Sequence, residues 1–155
     1  MRSPTASKKR ATTARASRGR RGGRSVDYET LARFRYELRR FQVFSEAAAN
    51  KSGLTAQQHQ ALLVIRGFSG REPLSVGDLA SLLLIRHHTA VELVDRMVKL
   101  KAVSRSIDPS DGRRVLVRLT REGERRLRRL SEIHLQELRT VGSSLTKMLK
   151  LFRQS

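Results

Sequence analysis

Two hydrophobic periods alternate along this chain. Leu31, Phe34, Leu38, Phe41 and Ser45 recur at steps of three and four residues, with Arg33, Arg39 and Arg40 between them. That spacing predicts an amphipathic helix starting near Ser25 or Asp27 and stopped by Gly53. Thr55 and Gln58 have the spacing of a capping box, and Leu62, Leu63, Ile65 and Phe68 supply one side of a second helix. Residues 70–73 read as a turn. Ser75 and Asp78 repeat the helix-start signal ahead of a short helix with Leu79, Leu82 and Leu83. After a break near residues 84–86, a further helix is predicted over about 87–101. Ala90, Leu93, Val94 and Met97 share its inner side, and His88, Glu92, Arg96 and Lys99 point outward.

Period two then takes over. Residues 103–107 and 115–119 are β-prone runs around Asp108, Pro109, Ser110, Asp111 and Gly112, and Asp-Gly between two such runs predicts a hairpin. Thr120 caps a last long segment with Glu122 and Glu124 in its first turn, followed by Leu127, Leu130, Ile133, Leu135 and Leu138. Gly142 and the serines after it predict a break before a final helix ending near Phe152. The fold class is therefore mainly α with a small β hairpin.

Charge changes the picture of the partner. Lys and Arg number 33 against 14 Asp and Glu, a surplus of 19 in 155 residues. Such a surplus favours a polyanion, nucleic acid before anionic membrane. Residues 1–25 hold nine of these cations, no acid, and mostly Ala, Ser, Thr and Gly. They cannot bury enough apolar surface to offset ordering entropy, so a disordered basic tail is predicted. Residues 16–24 of it suit a phosphate backbone or a minor groove; a solvated tail or a transit peptide has the same composition. The remainder, residues 26–155, keeps 24 cations against 14 acids and is basic in its own right.

Other classes are narrowed by what is missing. There is no cysteine, which removes disulfides, thiol nucleophiles and Cys-containing zinc sites. No apolar run approaches the roughly 20 residues that cross a bilayer, and no apolar leader stretch is present, so the expectation is a cytoplasmic protein. No Gly-rich phosphate loop, nucleophile-base pair or metal spacing is found, so neither an enzyme nor a cofactor is expected.

Short helix, turn, second helix and basic hairpin follow each other in the order of a winged helix-turn-helix. An α-helix fits the major groove, and an Arg on a projecting hairpin reaches the adjacent minor groove. Leu79-Ala80 with Leu82, Thr89, Leu93-Val94-Asp95-Arg96, Val103, Arg105, Asp111-Gly112-Arg113-Arg114 and Leu119-Thr120-Arg121-Glu122-Gly123 together resemble the multiple antibiotic resistance regulator (MarR) family, as does Leu54-Thr55 with Gln58. The resemblance covers about residues 27–153. It implies a DNA-binding lobe over about 54–120 between dimerisation helices over about 26–52 and 121–153. It further implies a homodimer on a pseudo-palindromic operator in double-stranded DNA, and repression often relieved by a small phenolic or other anionic effector. Three positions depart from the family pattern. Arg86 stands where a Ser, Thr or Asp cap is common, Val91 and Glu92 where Ser, Thr or Arg are common, and Ala102 where a glycine is frequent. The last implies a helix that ends without a left-handed residue.

The candidate DNA-binding set is Arg86, His87, His88, Thr89, Glu92, Arg96, Arg113 and Arg114. His88 and Thr89 lie in the first turn of the reading helix, where base edges are met. Glu92 either accepts from a cytosine amino group or pairs with Arg96, and Asp95 and Arg96 are either architectural or DNA-directed. Arg113 is expected at the wing tip, entering a narrow minor groove, with Asp111 stiffening the turn. Arg114 serves either a phosphate or Asp108. His87 and His88 diverge by about 100° on a helix and have no acidic companions, so no metal site is expected. Phe34, Tyr36, Phe41, His59 and Phe68 either line a ligand cavity or form ordinary core. The rival to a specific regulator is an architectural protein that coats nucleic acid without sequence preference.

Overall fold

The computed structural model describes residues 28–68, 70 and 73–154. The basic tail, the expected helix start at Ser25 or Asp27, and part of the turn over residues 70–73 lie outside the described residues. Local chemistry sets the helix ends. Helix α1 (Tyr28–Lys51) closes with the Leu54 N–H on the Ala49 carbonyl and Gly53 at φ +70°, a left-handed exit that glycine takes without a Cβ penalty. Helix α2 (Ala56–Phe68) opens on a reciprocal box: the Thr55 N–H donates to Gln58 Oε1 at 2.9 Å, and the Gln58 N–H to Thr55 Oγ1 at 3.2 Å. Helix α3 (Val76–Leu83) repeats the device with Ser75 and Asp78.

The turn between α3 and α4 (His87–Lys99) is made by Leu84 in the left-handed region, φ 55°, with the Ile85 N–H returning to the Ala80 carbonyl. The end of α4 corrects a sequence expectation. Ala102 does not deprive the helix of a left-handed exit, because Lys101 supplies it at φ 55°. The Lys101 N–H reaches the Val98 carbonyl and the Ala102 N–H the Met97 carbonyl. Two bonded carbonyls offset the roughly 1–2 kcal/mol that the conformation costs an L-residue.

Strands β2 (Val103–Ile107) and β3 (Val115–Leu119) form the hairpin in the expected places, Val103 opposite Leu119 and Ile107 opposite Val115. The connection is wider than a two-residue Asp-Gly turn. The Asp108 N–H bonds the Arg114 carbonyl and the Arg114 N–H bonds the Asp111 carbonyl, so seven residues loop between the strands. A two-residue strand, β1 (Leu74–Ser75), adds to the other edge of β3 and gives the order β1-β3-β2.

The final helix, α5 (Arg121–Gln154), runs 34 residues without interruption. The break predicted at Gly142 is absent. Val141 and Met148 are buried on either side of it, and packing of that face outweighs the roughly 1 kcal/mol by which glycine weakens a helix. The core lies between α2, α3, α4 and the first half of α5, centred on Leu62, Ile65, Leu79, Leu93, Met97 and Leu130. The four residues expected on the inner side of α4 are all buried there. At the β3–α5 corner the backbones touch. A Cβ on Gly123 would stand 1.9 Å from the Ala102 carbonyl oxygen.

Candidate nucleic-acid interface

Helix α4 presents its N-terminus at the surface. Arg86 is the N-cap residue in an extended conformation, φ −70° and ψ 150°, and its side chain makes no capping hydrogen bond. The first-turn amides are therefore left without a side-chain partner, a local positive dipole suited to an anion. Arg86, His87 and His88 are exposed and Thr89 is half-buried, so the first turn offers donors rather than core contacts. Further along, Glu92 and Arg96 face outward and stand 3.9 Å apart, a long and exposed ion pair of small energetic weight.

The wing carries two arginines with different fates. The Arg113 side chain is 95% exposed; its Nε lies 3.4 Å from Asp111 Oδ1, and its backbone N–H donates to the same oxygen at 3.1 Å. Asp111 thus orders the turn while leaving the guanidinium in solvent. Arg114 is bound inward: one terminal nitrogen lies 3.3 Å from Asp78 Oδ2 and the other 3.4 Å from Asp108 Oδ2. It ties the wing to the capping box of α3. The Ser75 hydroxyl and N–H, and then Arg114, hold the Asp78 carboxyl below its ordinary value. The Ser110 hydroxyl and N–H, and then Arg114, do the same for Asp108. Both acids are therefore charged at neutral pH, and Arg114 faces two carboxylates. Of the two roles left open for it, the structure shows the pairing with Asp108. Arg105 on β2 is likewise engaged, paired with Asp95 of α4. Between α4 and the wing lies a cleft of about 210 Å³ bordered by His87, Val91, Arg105, Arg113 and Arg114. The structure thus brings the α4 first turn and the wing tip together along one basic edge.

A second feature lies between α1, α2 and α5. A cavity of about 660 Å³ is lined by Phe41, Ser45, His59, Leu63, His134 and Leu138, among others. Of the residues read as either cavity lining or ordinary core, Phe41 and His59 border this cavity. Phe34 instead packs edge-on against Phe152 with ring centroids 5.7 Å apart, and Tyr36 and Phe68 are exposed, Phe68 to 63% because it ends α2 beyond the core. His134 was not singled out from the sequence. Its signal is its place four residues after Leu130 and seven after Leu127, on the inner face of α5.

The two histidines stack tilted with centroids 4.4 Å apart. His134 Nδ1 lies 2.7 Å from the Leu130 carbonyl, which only accepts, so that nitrogen carries a proton. His134 Nε2 stands 2.8 Å from Ser45 Oγ. His59 is 2% exposed, and its Nε2 is buried with no hydrogen-bond partner. Burial first, then the neighbouring His134, push the His59 pKa down to about 4. Among the described residues no group of three or more His, Asp or Glu is placed to hold a metal ion, and no helix is long and apolar enough to cross a membrane.

Residues 52–114, the span from the end of α1 through the wing tip, match the model of the MarR family. A curated relative, the uncharacterized HTH-type transcriptional regulator YsmB of Bacillus subtilis, is 31% identical over 83 residues, which is 53% of this chain and 57% of that protein. The aligned stretch therefore spans little more than half of that relative's length. Among solved structures, a mutant of Staphylococcus aureus MepR bound to an oligodeoxyribonucleotide superposes with a TM-score of 0.64 at 21% identity, over 83% of this chain and 99% of that one. Wild-type apo MarR from E. coli gives a TM-score of 0.64 at 22% identity, over 81% and 86%. The helix-turn-helix and wing are thus similar in sequence to the MarR family, and the described chain has the winged-helix fold of these solved structures.

Proposed function

We propose that the protein is a sequence-specific, double-stranded-DNA-binding transcription regulator, a cytoplasmic, nucleoid-associated repressor that acts as a homodimer and responds to a small ligand. The observation that carries this reading is the single edge on which an uncapped, exposed α4 N-terminus and the solvent-exposed Arg113 guanidinium lie together. Arg86, His87, His88 and Thr89 meet phosphates and base edges in the major groove, and Arg113 enters the adjacent minor groove. Glu92 and Arg96 stand one turn further in, where they contact bases only if their weak pairing opens. Asp111 and Arg114 set the attitude of the wing. The relative MepR, solved on an oligodeoxyribonucleotide, supports the same use of this fold.

Selection of bound fragments from a genomic DNA pool, followed by footprinting, tests this reading. Discrete operators are expected, whereas uniform protection would point to an architectural coat. Arg113→Ala is expected to weaken operator binding by about 1–3 kcal/mol at fixed salt while leaving the thermal midpoint unchanged. An unaltered dissociation constant contradicts the wing-tip role.

Dimerisation rests on apolar side chains that the single chain leaves uncovered along its two long helices: Leu31, Tyr36 and Val43 on α1, Leu149 and Leu151 on α5. Sedimentation at micromolar concentration is expected to show a dimer, since subunits that share a core in this way often have no stable monomer. A well-folded monomer counts against it. The effector would occupy the cavity between α1, α2 and α5, where Ser45, His59 and His134 bring polar groups into an otherwise apolar wall that suits a phenol.

A further inference from the structure

Behind the reading edge lies a second concentration of positive charge. Lys99 and Lys101 sit where α4 turns into β2; Arg118 and Arg121 sit where β3 turns into α5. Backbone contacts hold the two turns together. The Thr120 N–H donates to the Ala102 carbonyl at 3.1 Å, its hydroxyl donates to the Lys101 carbonyl at 2.5 Å, and Arg118 is paired across the hairpin with Ser104. Arg128, seven residues beyond Arg121, lies two turns further along the same face of α5. All five cations are exposed, and none takes part in an ion pair among the described residues. The acids around them are otherwise engaged, Asp95 with Arg105 and Glu122 with Arg125 and Arg126. Glu124 and Glu132, four residues to either side of Arg128 on α5, are neighbouring carboxylates without an ion pair among the described residues.

These cations do not belong to the reading edge. The 13 residues of α4 make a rod about 20 Å long, with His88 at one end and Lys99 at the other. Arg118 is the fourth residue of β3, about 10 Å along the strand from Val115, and Arg113 lies in the loop beyond that end. The reading helix meets base edges with its N-terminal residues, and Lys99 lies at the opposite end of that rod, so a straight duplex seated on the α4 first turn and the wing tip leaves the rear cluster unused.

We propose that the cluster of Lys99, Lys101, Arg118, Arg121 and Arg128 binds the phosphates of a second DNA duplex, so that one lobe bridges two duplexes. The proposal rests on the DNA-binding reading above and extends it to a surface remote from the operator. Ammonium and guanidinium groups fixed at helix and strand ends are phosphate ligands. The cluster contains no aromatic ring on which single-stranded bases would stack and no helix end aimed at a groove, so the contact is to duplex backbone and independent of sequence.

The test uses the full chain bound to an immobilised random-sequence duplex and asks for capture of a second, labelled duplex across a salt series. The triple variant Lys101→Asn, Arg118→Gln, Arg121→Gln removes three cations from exposed positions, and asparagine tolerates the left-handed conformation at 101. Capture of the second duplex is expected to fall by about tenfold or more with a shallower salt slope, while affinity for the immobilised duplex changes by less than about twofold. Unchanged capture overturns the proposal, as does a parallel loss of both affinities, which would assign the cluster to the first duplex. Cluster-dependent binding of anionic phospholipid vesicles without duplex capture also overturns it. If wild-type protein fails to bind the first duplex, the DNA-binding reading itself is at fault. Should the triple variant lose its cooperative melting, Arg118→Gln and Arg121→Gln are measured singly, each expected to reduce capture by about threefold.

Discussion

Replacing Gly123 with alanine is expected to destabilise the protein by about 3 kcal/mol, the upper part of the range for overpacking a tight contact. The reason is geometric. The added methyl would lie 1.9 Å from a backbone carbonyl oxygen, that of Ala102, which cannot rotate away as the end of a side chain can. Ala102 is itself fully buried and fixed by the N–H bond to Met97 and the bond its carbonyl accepts from Thr120. Relief therefore requires α5 to lift off the end of α4, opening the core around Leu127 and Leu130. Urea unfolding of the variant beside wild type measures the loss, and Gly142→Ala serves as the comparison. Gly142 has nothing within 4 Å of its missing Cβ, so alanine there is expected to be neutral or stabilising. A small effect at Gly123 would mean that the corner is looser than its hydrogen bonds indicate.

Acid is expected to remove about 3 kcal/mol of stability between pH 6.5 and 4, chiefly through His59. Burial, then the adjacent His134, hold the folded-state pKa at about 4, against about 6.5 for an unfolded chain. In that window the unfolded chain binds the proton that the folded chain refuses. Stability therefore rises with pH across it, is complete above about 6.5, and is lost as the pH falls. At pH 5 the deficit is about 2 kcal/mol relative to neutral. His59→Leu removes the titrating group and the buried nitrogen that lacks a partner, so its unfolding midpoint is expected to be nearly level from pH 7 to 5. The depressed carboxylates Asp78, Asp108 and Glu122 lose their contribution as the pH falls through the ordinary carboxylate values, 3.8 to 4.5, so they add to the loss only at the acid end of this window. A wild-type midpoint that is flat from pH 7 to 5 would show that His59 is protonated at little cost.

Local signals in the sequence were enough for the elements whose chemistry is local. The Thr55 and Ser75 capping boxes, the inner row of α4 and the runs of β2 and β3 each depend on residues a few positions apart, and each is found as read. The misses share the opposite property. Strand β1 has two residues and no period, and exists because Leu74 meets Val117 some forty positions later. The continuity of α5 through Gly142 is decided by burial of Val141 and Met148, and the glycine says nothing about that. Lys101 takes a left-handed conformation because two carbonyls of α4 await the amides around it, whereas its own preference is helical.

At the candidate interface, Arg113 and Asp111 were legible because they share one turn. The pairing of Arg114 with Asp78 spans 36 positions and was not. The cavity shows the same limit. Phe41 and His59 were named, but the polar centre of the site comes from Ser45, His59 and His134, contributed by three helices.

The close contact at the β3–α5 corner also has a mechanical side. Gly123 fixes one end of a long stiff rod whose other end is free of the lobe's core, which makes α5 a lever with its fulcrum at the wing base. His134 lies 11 residues from that fulcrum and Gln154 lies 31, distances of about 16 and 46 Å along the axis. A ligand that wedges the cavity open by about 1 Å at His134 would swing the far end by nearly three times as much, in the ratio of those arms. Nothing in the rod need bend, and the size of the response is set by where along α5 the molecule pushes.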